Sequence, residues 1–152
     1  MLSISAADFR PSEPTYSYKN HGRYLIHLDS SSEYGYYFAP VILPQGATVT
    51  GFSLAFRDNA TQDLTATLCQ YGSTGVQSDR AKLDSSGLYL SPYYGSKSES
   101  TIQNATIDNS IYGYSVNTQI PESTPDDIGS LVWFTGITIQ FQYPITRVNP
   151  EY

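Results

Sequence analysis

Along TVTGFSLAFR, residues 48 to 57, Phe52, Leu54 and Phe56 fall on one side of an extended backbone while Ser53, Ala55 and Arg57 fall on the other. A period of two is what a strand with one buried face requires. DLTATLCQY (63–71) repeats the pattern through Leu64, Ala66 and Leu68, and RYLIHL (23–28), YYFAPVIL (36–43) and IYGYSVNTQI (111–120) are runs of similar length. Turn-forming stretches separate them: SSSEYG, PQGA, DNATQ and the longer PESTPDDIGS. The last run is the longest. Leu131, Trp133, Thr135, Ile137, Ile139, Phe141 and Tyr143 alternate with Val132, Phe134, Gly136, Thr138, Gln140 and Gln142, which predicts one long central strand with Trp133 and Phe134 on opposite faces. The polar stretch from Gly72 to Lys82 and the Ser-rich one from Ser91 to Thr101 are expected to flank a short strand at Leu88 to Leu90. No segment places apolar residues at helical spacing between caps, so helix is expected to be minor. The pattern predicts an all-β fold, an antiparallel β-sandwich of the jelly-roll kind with about 8–10 strands. It would form a single domain over residues 1–152, with 1–20 as an N-terminal arm or first strand and 144–152 as a C-terminal extension.

Composition agrees with strands. Of the 152 residues 14% are Asp, Glu, Lys or Arg, against about 25% in an ordinary globular domain. Tyr alone contributes 14, and aromatic residues suit a pleated surface. The net charge of −6 and the scattering of eight basic residues exclude a nucleic-acid partner, which needs clustered Lys and Arg. Lys19, His21 and Arg23 are the nearest thing to a basic patch and read as a solvated strand edge. No run approaches the length of a membrane-spanning helix. MLSISAADF has neither the basic start nor the apolar core of a secretory signal, so an extracellular location implies a signal already removed. The one cysteine, Cys69, cannot form an internal disulfide. It reads as a small buried hydrophobe, because His21 and His27 are the sole histidines available to activate a thiol.

DNATQD (58–63) has three readings. As a calcium loop it offers Asp58, Asn59 and Asp63, with no Glu following to complete the cage. As a glycosylation acceptor it contains Asn59-Ala60-Thr61, matched by Asn104-Ala105-Thr106. As a turn it uses Asp and Asn to bond their own backbone and lets Phe56 and Leu64 face one core. The turn explains most, and no cofactor is expected; Ca²⁺ stays as the alternative. Asp108-Asn109 receives the same turn reading. Asp126, Asp127, Glu122, Asp29 and Glu33 lie in polar turns without apolar neighbours to raise a carboxyl pKa. His21 and His27 would share a strand face and could hold a metal with an acidic residue, but His27 beside Ile26 and Leu28 reads as a strand histidine with a satisfied hydrogen bond. No nucleophile elbow or phosphate loop is present. A hydrolase is therefore the least favoured class, and the expectation is that the chain is not an enzyme.

YYFAPVILPQGATVTGFSLAFRDNATQDLTATL, then ATIDNSIYGYSVNTQIP and a final GITIQFQY, resemble a group of uncharacterised secreted bacterial β-sandwich proteins. Their shared pattern is YxFAPVxLPxGAxVT, a DN…DLT hairpin, IDNxxYxY and a C-terminal GVxIxY strand. The chain departs from it in a longer C-terminal extension, ITRVNPEY. The resemblance implies the sandwich and transfers no catalytic residue. Three non-catalytic roles follow. Low charge, aromatic residues on both sides of the last strand and Pro-interrupted termini that need tying down favour an extracellular module that self-assembles. Such a homo-oligomer would be a trimer or a fibre in which LSISAADF adds to a neighbour's sheet, with Trp133 and Phe134 at the interface. The alternative is a carbohydrate-binding module in which Tyr34, Tyr36, Tyr37, Tyr93, Tyr94 and Tyr112 stack on sugar rings. The third is a peptide- or protein-binding module using the same tyrosines.

Overall fold

The computed structural model describes residues 1–86, 94–124 and 131–144. These contain eleven strands: β1 (Leu2–Ser5), β2 (Arg10–Pro11), β3 (Tyr18–Asn20), β4 (Leu25–His27), β5 (Tyr34–Val41), β6 (Thr48–Asp58), β7 (Thr65–Gly72), β8 (Gln77–Asp84), β9 (Gly95–Glu99), β10 (Tyr112–Pro121) and β11 (Val132–Gln142). A single 3₁₀ turn, Ala6–Asp8, is the sole helical element among them.

The strands form two antiparallel sheets. One runs β3-β4-β11-β6-β9, with β1 also on β11, and the other runs β2-β5-β10-β7-β8. Stripped of the short arm strands, β4-β11-β6-β9 lies over β5-β10-β7-β8, the strand order of a jelly roll. The inner faces supply the core, in which Leu25, Phe52, Leu54, Phe56, Leu64, Leu68, Ile120, Phe134 and Ile139 are fully buried. Phe9 meets Phe134 edge to face with centroids 4.5 Å apart, the arrangement that the ring quadrupoles favour.

In β7, and in β6 from Phe52 onward, the inward residues are those the alternation picks out, while a slip against Gln140 and Phe141 brings Val49 into the core out of phase. β11 differs. Pairing with β6 slips by one residue between Phe134 and Gly136, so the inward set is Val132 and Phe134 before the slip, then Ile137 and Ile139 after it. A β-bulge adds one residue and exchanges the faces beyond it. The expected unbroken alternation is thus two shorter ones in opposite phase, and Phe134 belongs to the core rather than to an interface. Gly136 makes the bulge possible: a Cβ there would stand 2.7 Å from the backbone oxygen of Ile4, where β1 crosses.

The stretches 72–82 and 91–101, expected as polar flanks, contain most of β8 and the whole of β9. β8 and β9 each form one edge of their sheet, and edge strands favour charged and polar side chains because these discourage further pairing. The salt bridge from Lys97 Nζ to Asp84 Oδ1, 3.3 Å long, joins the two edges. The strand expected at Leu88 to Leu90 lies outside the described residues.

The N-terminal arm is tied down within its own chain. β1 pairs with β11 from Leu2↔Ile139 to Ser5↔Gly136, and β2 pairs with β5 at Arg10↔Phe38 and Pro11↔Tyr37. The arm from Leu2 to Pro11 therefore straps both sheets of its own sandwich, with LSISAADF on the six-stranded sheet and Arg10–Pro11 on the other.

Candidate functional site

Pairing register fixes which side chains share the outer face of the five-stranded sheet. One row across β5, β10, β7 and β8 is Tyr36, Gln119, Thr65 and Asp84, and the next is Phe38, Asn117, Thr67 and Lys82. The third is Pro40, Ser115, Cys69 and Asp79. At about 4.8 Å per strand the rows run roughly 14 Å across the sheet.

A groove of about 310 Å³ lies along the first two rows, lined by Tyr36, Phe38, Tyr71, Asn117, Gln119 and Lys82 among others, with no carboxylate in its wall. Tyr36 is 51% exposed and Phe38 43%, large for aromatic rings on a strand. The polar groups opposite them are held in place. Asn117 Nδ2 donates to the Tyr71 hydroxyl at 2.8 Å, Ser115 Oγ donates to Asn117 Oδ1 at 2.9 Å, and Gln119 Nε2 reaches the Tyr36 hydroxyl at 3.4 Å. The face therefore combines open apolar rings with a fixed ladder of amides and hydroxyls, the mixture that polyhydroxylated ligands use: C–H faces on rings, hydroxyls on amides.

The other tyrosines singled out by sequence go elsewhere. Tyr37 points inward and is buried, its hydroxyl 2.9 Å from Nδ1 of His27, and burial raises its pKa; its contact with the groove is from below. Tyr34 is half-buried at the far end of β5, its pKa raised by burial and by Glu33. Tyr112 lines a separate pocket with Arg80, and Tyr93 lies outside the described residues. Tyr94 stands on the six-stranded sheet near Trp133, with centroids 6.2 Å apart. Trp133 is itself covered by its own chain, stacked on Tyr24 at 4.4 Å and with the Arg57 guanidinium 4.7 Å from its ring. The ring expected to need a second subunit has its cover already. Phe38, Tyr71, Asn117, Gln119, Thr65, Thr67 and Lys82 were not picked out from sequence, although Tyr36 and Phe38 at alternate positions of YYFAP, opposite the inward Tyr37 and Ala39, carried the signal.

DNATQD forms a turn. Asp58 is 2% exposed; its Oδ1 accepts from the backbone of Ala60 at 2.9 Å and its Oδ2 from the hydroxyl of Ser85, which in turn accepts from the backbone of Leu64 at 2.9 Å. Burial raises the Asp58 pKa, only partly offset by those hydrogen bonds. Among the described residues no three His, Cys, Asp or Glu side chains converge as a metal site would need. His27 is buried with Nε2 3.2 Å from the Ser32 carbonyl, while His21 sits in the β3–β4 turn against Tyr24 at 4.7 Å. Gly35 makes room for the His27 ring, since a Cβ there would lie 2.3 Å from Nδ1. Cys69 is buried beneath Gln77 and Asp79. Burial, then the Asp79 charge, pushes its pKa to about 12, so its thiol is not a nucleophile at neutral pH. Asp126 and Asp127 lie outside the described residues.

No protein-family model matches the chain, and no curated protein matches it in sequence; the motif pattern above gains no support from either. Among solved structures the chain is similar to the N-terminal CBM22-1-CBM22-2 tandem domain of Xyn10C from Paenibacillus barcinonensis, with a TM-score of 0.58 and 14% identity over 93% of this chain. The chain spans 49% of that tandem structure's length. It is also similar to a CBM36 carbohydrate-binding module in complex with calcium and xylotriose, at a TM-score of 0.49 and 12% identity over 93% of this chain and 100% of the other. A third is the CBM36-1 domain of a multidomain xylanase from the hindgut metagenome of Trinervitermes trinervoides, at 0.49 and 9% over 95% and 98%. These neighbours are carbohydrate-binding β-sandwich modules.

Proposed function

We propose that the chain is an extracellular, non-catalytic glycan-binding module, and that the outer groove of the five-stranded sheet is where the glycan lies. The observation that carries this is the pairing of two exposed rings, Tyr36 and Phe38, with the polar ladder of Asn117, Gln119, Thr65 and Thr67 across the same rows, in which Asn117 is held by Tyr71 and Ser115. Rings alone would suit any apolar partner, and amides alone any polar one. Two rings at one end of rows roughly 14 Å long, with amides and hydroxyls across the neighbouring strands, suit an oligosaccharide, whose rings present apolar faces and whose rims present hydroxyls. The sandwich fold shared with the tandem domain supports the reading as a scaffold only. The features that favoured self-assembly, an uncovered Trp133 and an N-terminal strand in search of a sheet, are both met within one chain.

Affinity electrophoresis against insoluble and soluble xylan, mixed-linkage glucan, mannan and pectin, followed by calorimetry on the best binder, tests the reading. Tyr36→Ala and Asn117→Ala should each weaken binding by about tenfold or more, the loss of one stacked ring or one fixed hydrogen-bonding pair. No retention on any polysaccharide, or retention that both substitutions leave unchanged, would overturn it.

A further inference from the structure

Arg80 is the residue that the register slip between β7 and β8 leaves over: Leu68 pairs with Ala81 and Cys69 with Asp79, so Arg80 has no partner across the bulge. Its side chain is 4% exposed, folded over the ring of Tyr114 with the guanidinium carbon 5.3 Å from the centroid. A buried guanidinium ordinarily comes with a carboxylate, because the desolvation of an unpaired charge is costly. Here there is none. Among the described residues the one ion pair is Lys97 with Asp84. Nearby acidic groups are otherwise engaged: Asp79 by Gln77, Glu99 by the backbone of Thr101, and Asp108 by Gln45 and Ser110. Arg80 Nη1 donates to the carbonyls of Gln103 and Thr106 at 3.4 and 3.5 Å, the long end of hydrogen bonding, and Nε has no partner.

Beside it is an open pocket of about 400 Å³ walled by Gln70, Arg80, Asn104, Ala105, Thr106 and Tyr112. Gln70 is buried too and its Oε1 has no partner. Asn104 lies at the rim with a φ of 46°, the one positive value among described non-glycine residues, a conformation that Asn adopts readily. Two buried polar side chains thus border one cavity, one of them a cation with no carboxylate partner, and the unmatched Nε of Arg80 and Oε1 of Gln70 lie beneath its wall. Native interiors rarely leave such groups unmatched unless ordered water, an ion or a ligand completes them, and a cation without a carboxylate favours an anion.

We propose that this pocket is an oxyanion site, separate from the groove, which takes the acidic group of a sugar acid, with Arg80 as the anion's partner and Gln70, Asn104 and Tyr112 available to its hydroxyls. The charge chemistry is common to a uronate carboxylate and a sugar sulfate. A planar carboxylate is the better match to a guanidinium fork.

The test is thermal unfolding and ¹⁵N NMR of the whole chain in sodium glucuronate, sodium sulfate or sodium chloride at equal ionic strength. Glucuronate should raise Tm by more than about 2 °C over chloride and move the Arg80 Nε–H and Gln70 side-chain resonances. Arg80→Lys should weaken the apparent affinity by about tenfold, as loss of a forked charge-assisted pair implies, and Tyr36→Ala should leave it unchanged. A sulfate response larger than that to glucuronate supports the site, and assigns it to sulfated sugars, where sulfate also moves the Arg80 resonance and Arg80→Lys removes the excess over the general stabilisation that sulfate gives any folded chain. Melting in glucuronate no higher than in chloride with the Arg80 resonance unmoved in glucuronate and sulfate alike, or a glucuronate response that Arg80→Lys leaves intact, would overturn the proposal. The NMR arm uses the natural sequence, so it stands even if a substituted chain fails to fold.

Discussion

The two outer faces of the sandwich carry similar aromatic endowments and put them to opposite use. On the six-stranded sheet Trp133 is stacked on Tyr24, capped by Arg57 and flanked by Tyr94. On the five-stranded sheet Tyr36 and Phe38 stand open beside Asn117 and Gln119. The first face is closed by its own chain and the second is left for something else. Aromatic content therefore does not locate a binding surface. The state of the neighbours does: a ring already stacked has spent its contact area, while a ring beside a polar ladder keeps it available.

Substitutions that move matched residues on the two sheets break or sharpen this contrast. Phe134→Ala, in the core of the six-stranded sheet, should cost about 3–5 kcal/mol in urea unfolding. Phe38→Ala, on the open face, should change stability by about 0.5 kcal/mol or less. If the two losses were alike, Phe38 would be a packing residue and the groove reading would weaken. The next contrast is Trp133→Ala against Tyr36→Ala. The first should lower stability by about 2 kcal/mol, less than a fully buried ring, and leave glycan retention intact. The second should do the reverse, with a loss of about tenfold in affinity and an unchanged melting curve. Loss of retention in Trp133→Ala would move the binding face to the six-stranded sheet.

Why one face was easier to read than the other is visible in particular residues. Period-two alternation runs unbroken through β7 and through β6 from Phe52 onward, so Phe52, Leu54, Phe56, Leu64 and Leu68 announce the core directly, whereas Val49, beyond a second slip, joins it out of phase. β11 looks regular too, but a bulge adds no letter to the sequence; only Gly136 marks it, and the reason for that glycine is the Ile4 carbonyl, 132 residues earlier in the chain. β8 and β9 were illegible because edge strands suppress the apolar pattern on which recognition depends. The groove was half legible. Tyr36 could be named from composition, but Asn117 and Gln119 become its neighbours only through the β5–β10 register, which no local pattern encodes.

A smaller effect separates the turn at Asp58 from the exposed carboxylates of the outer surface. Burial holds the Asp58 pKa above its ordinary 3.8, whereas a hydrogen bond from Ser110 lowers that of Asp108. The signs oppose. A raised folded pKa means that Asp58 contributes stability while protonated and loses it as pH rises through the folded value; a lowered one means that Asp108 contributes above its ordinary value and loses it on acidification. Asp58→Asn should therefore be no less stable than the natural chain at pH 7, and the difference should shrink or reverse as pH falls toward 4. Urea midpoints at the two pH values read it directly. A penalty for Asp58→Asn that is constant with pH would show that Asp58 acts through geometry alone.

The smallest expected effect is that of removing divalent cations. Asp58 places one carboxylate oxygen on the backbone of Ala60 and the other on Ser85, and among the described residues no third acidic or imidazole group joins it and Asp63. A calcium ion needs six to eight oxygens at about 2.3–2.6 Å, so binding here would require Asp58 to give up both partners and leave its buried site. Chelator should consequently change Tm by less than about 1 °C. A site occupied at a hundred times its Kd would add about 2.7 kcal/mol, worth some 5–11 °C at about 2–4 °C per kcal/mol in a chain of this size. A fall of that size in chelator, restored by calcium and absent in Asp58→Asn, would turn the DNATQD turn into a metal site.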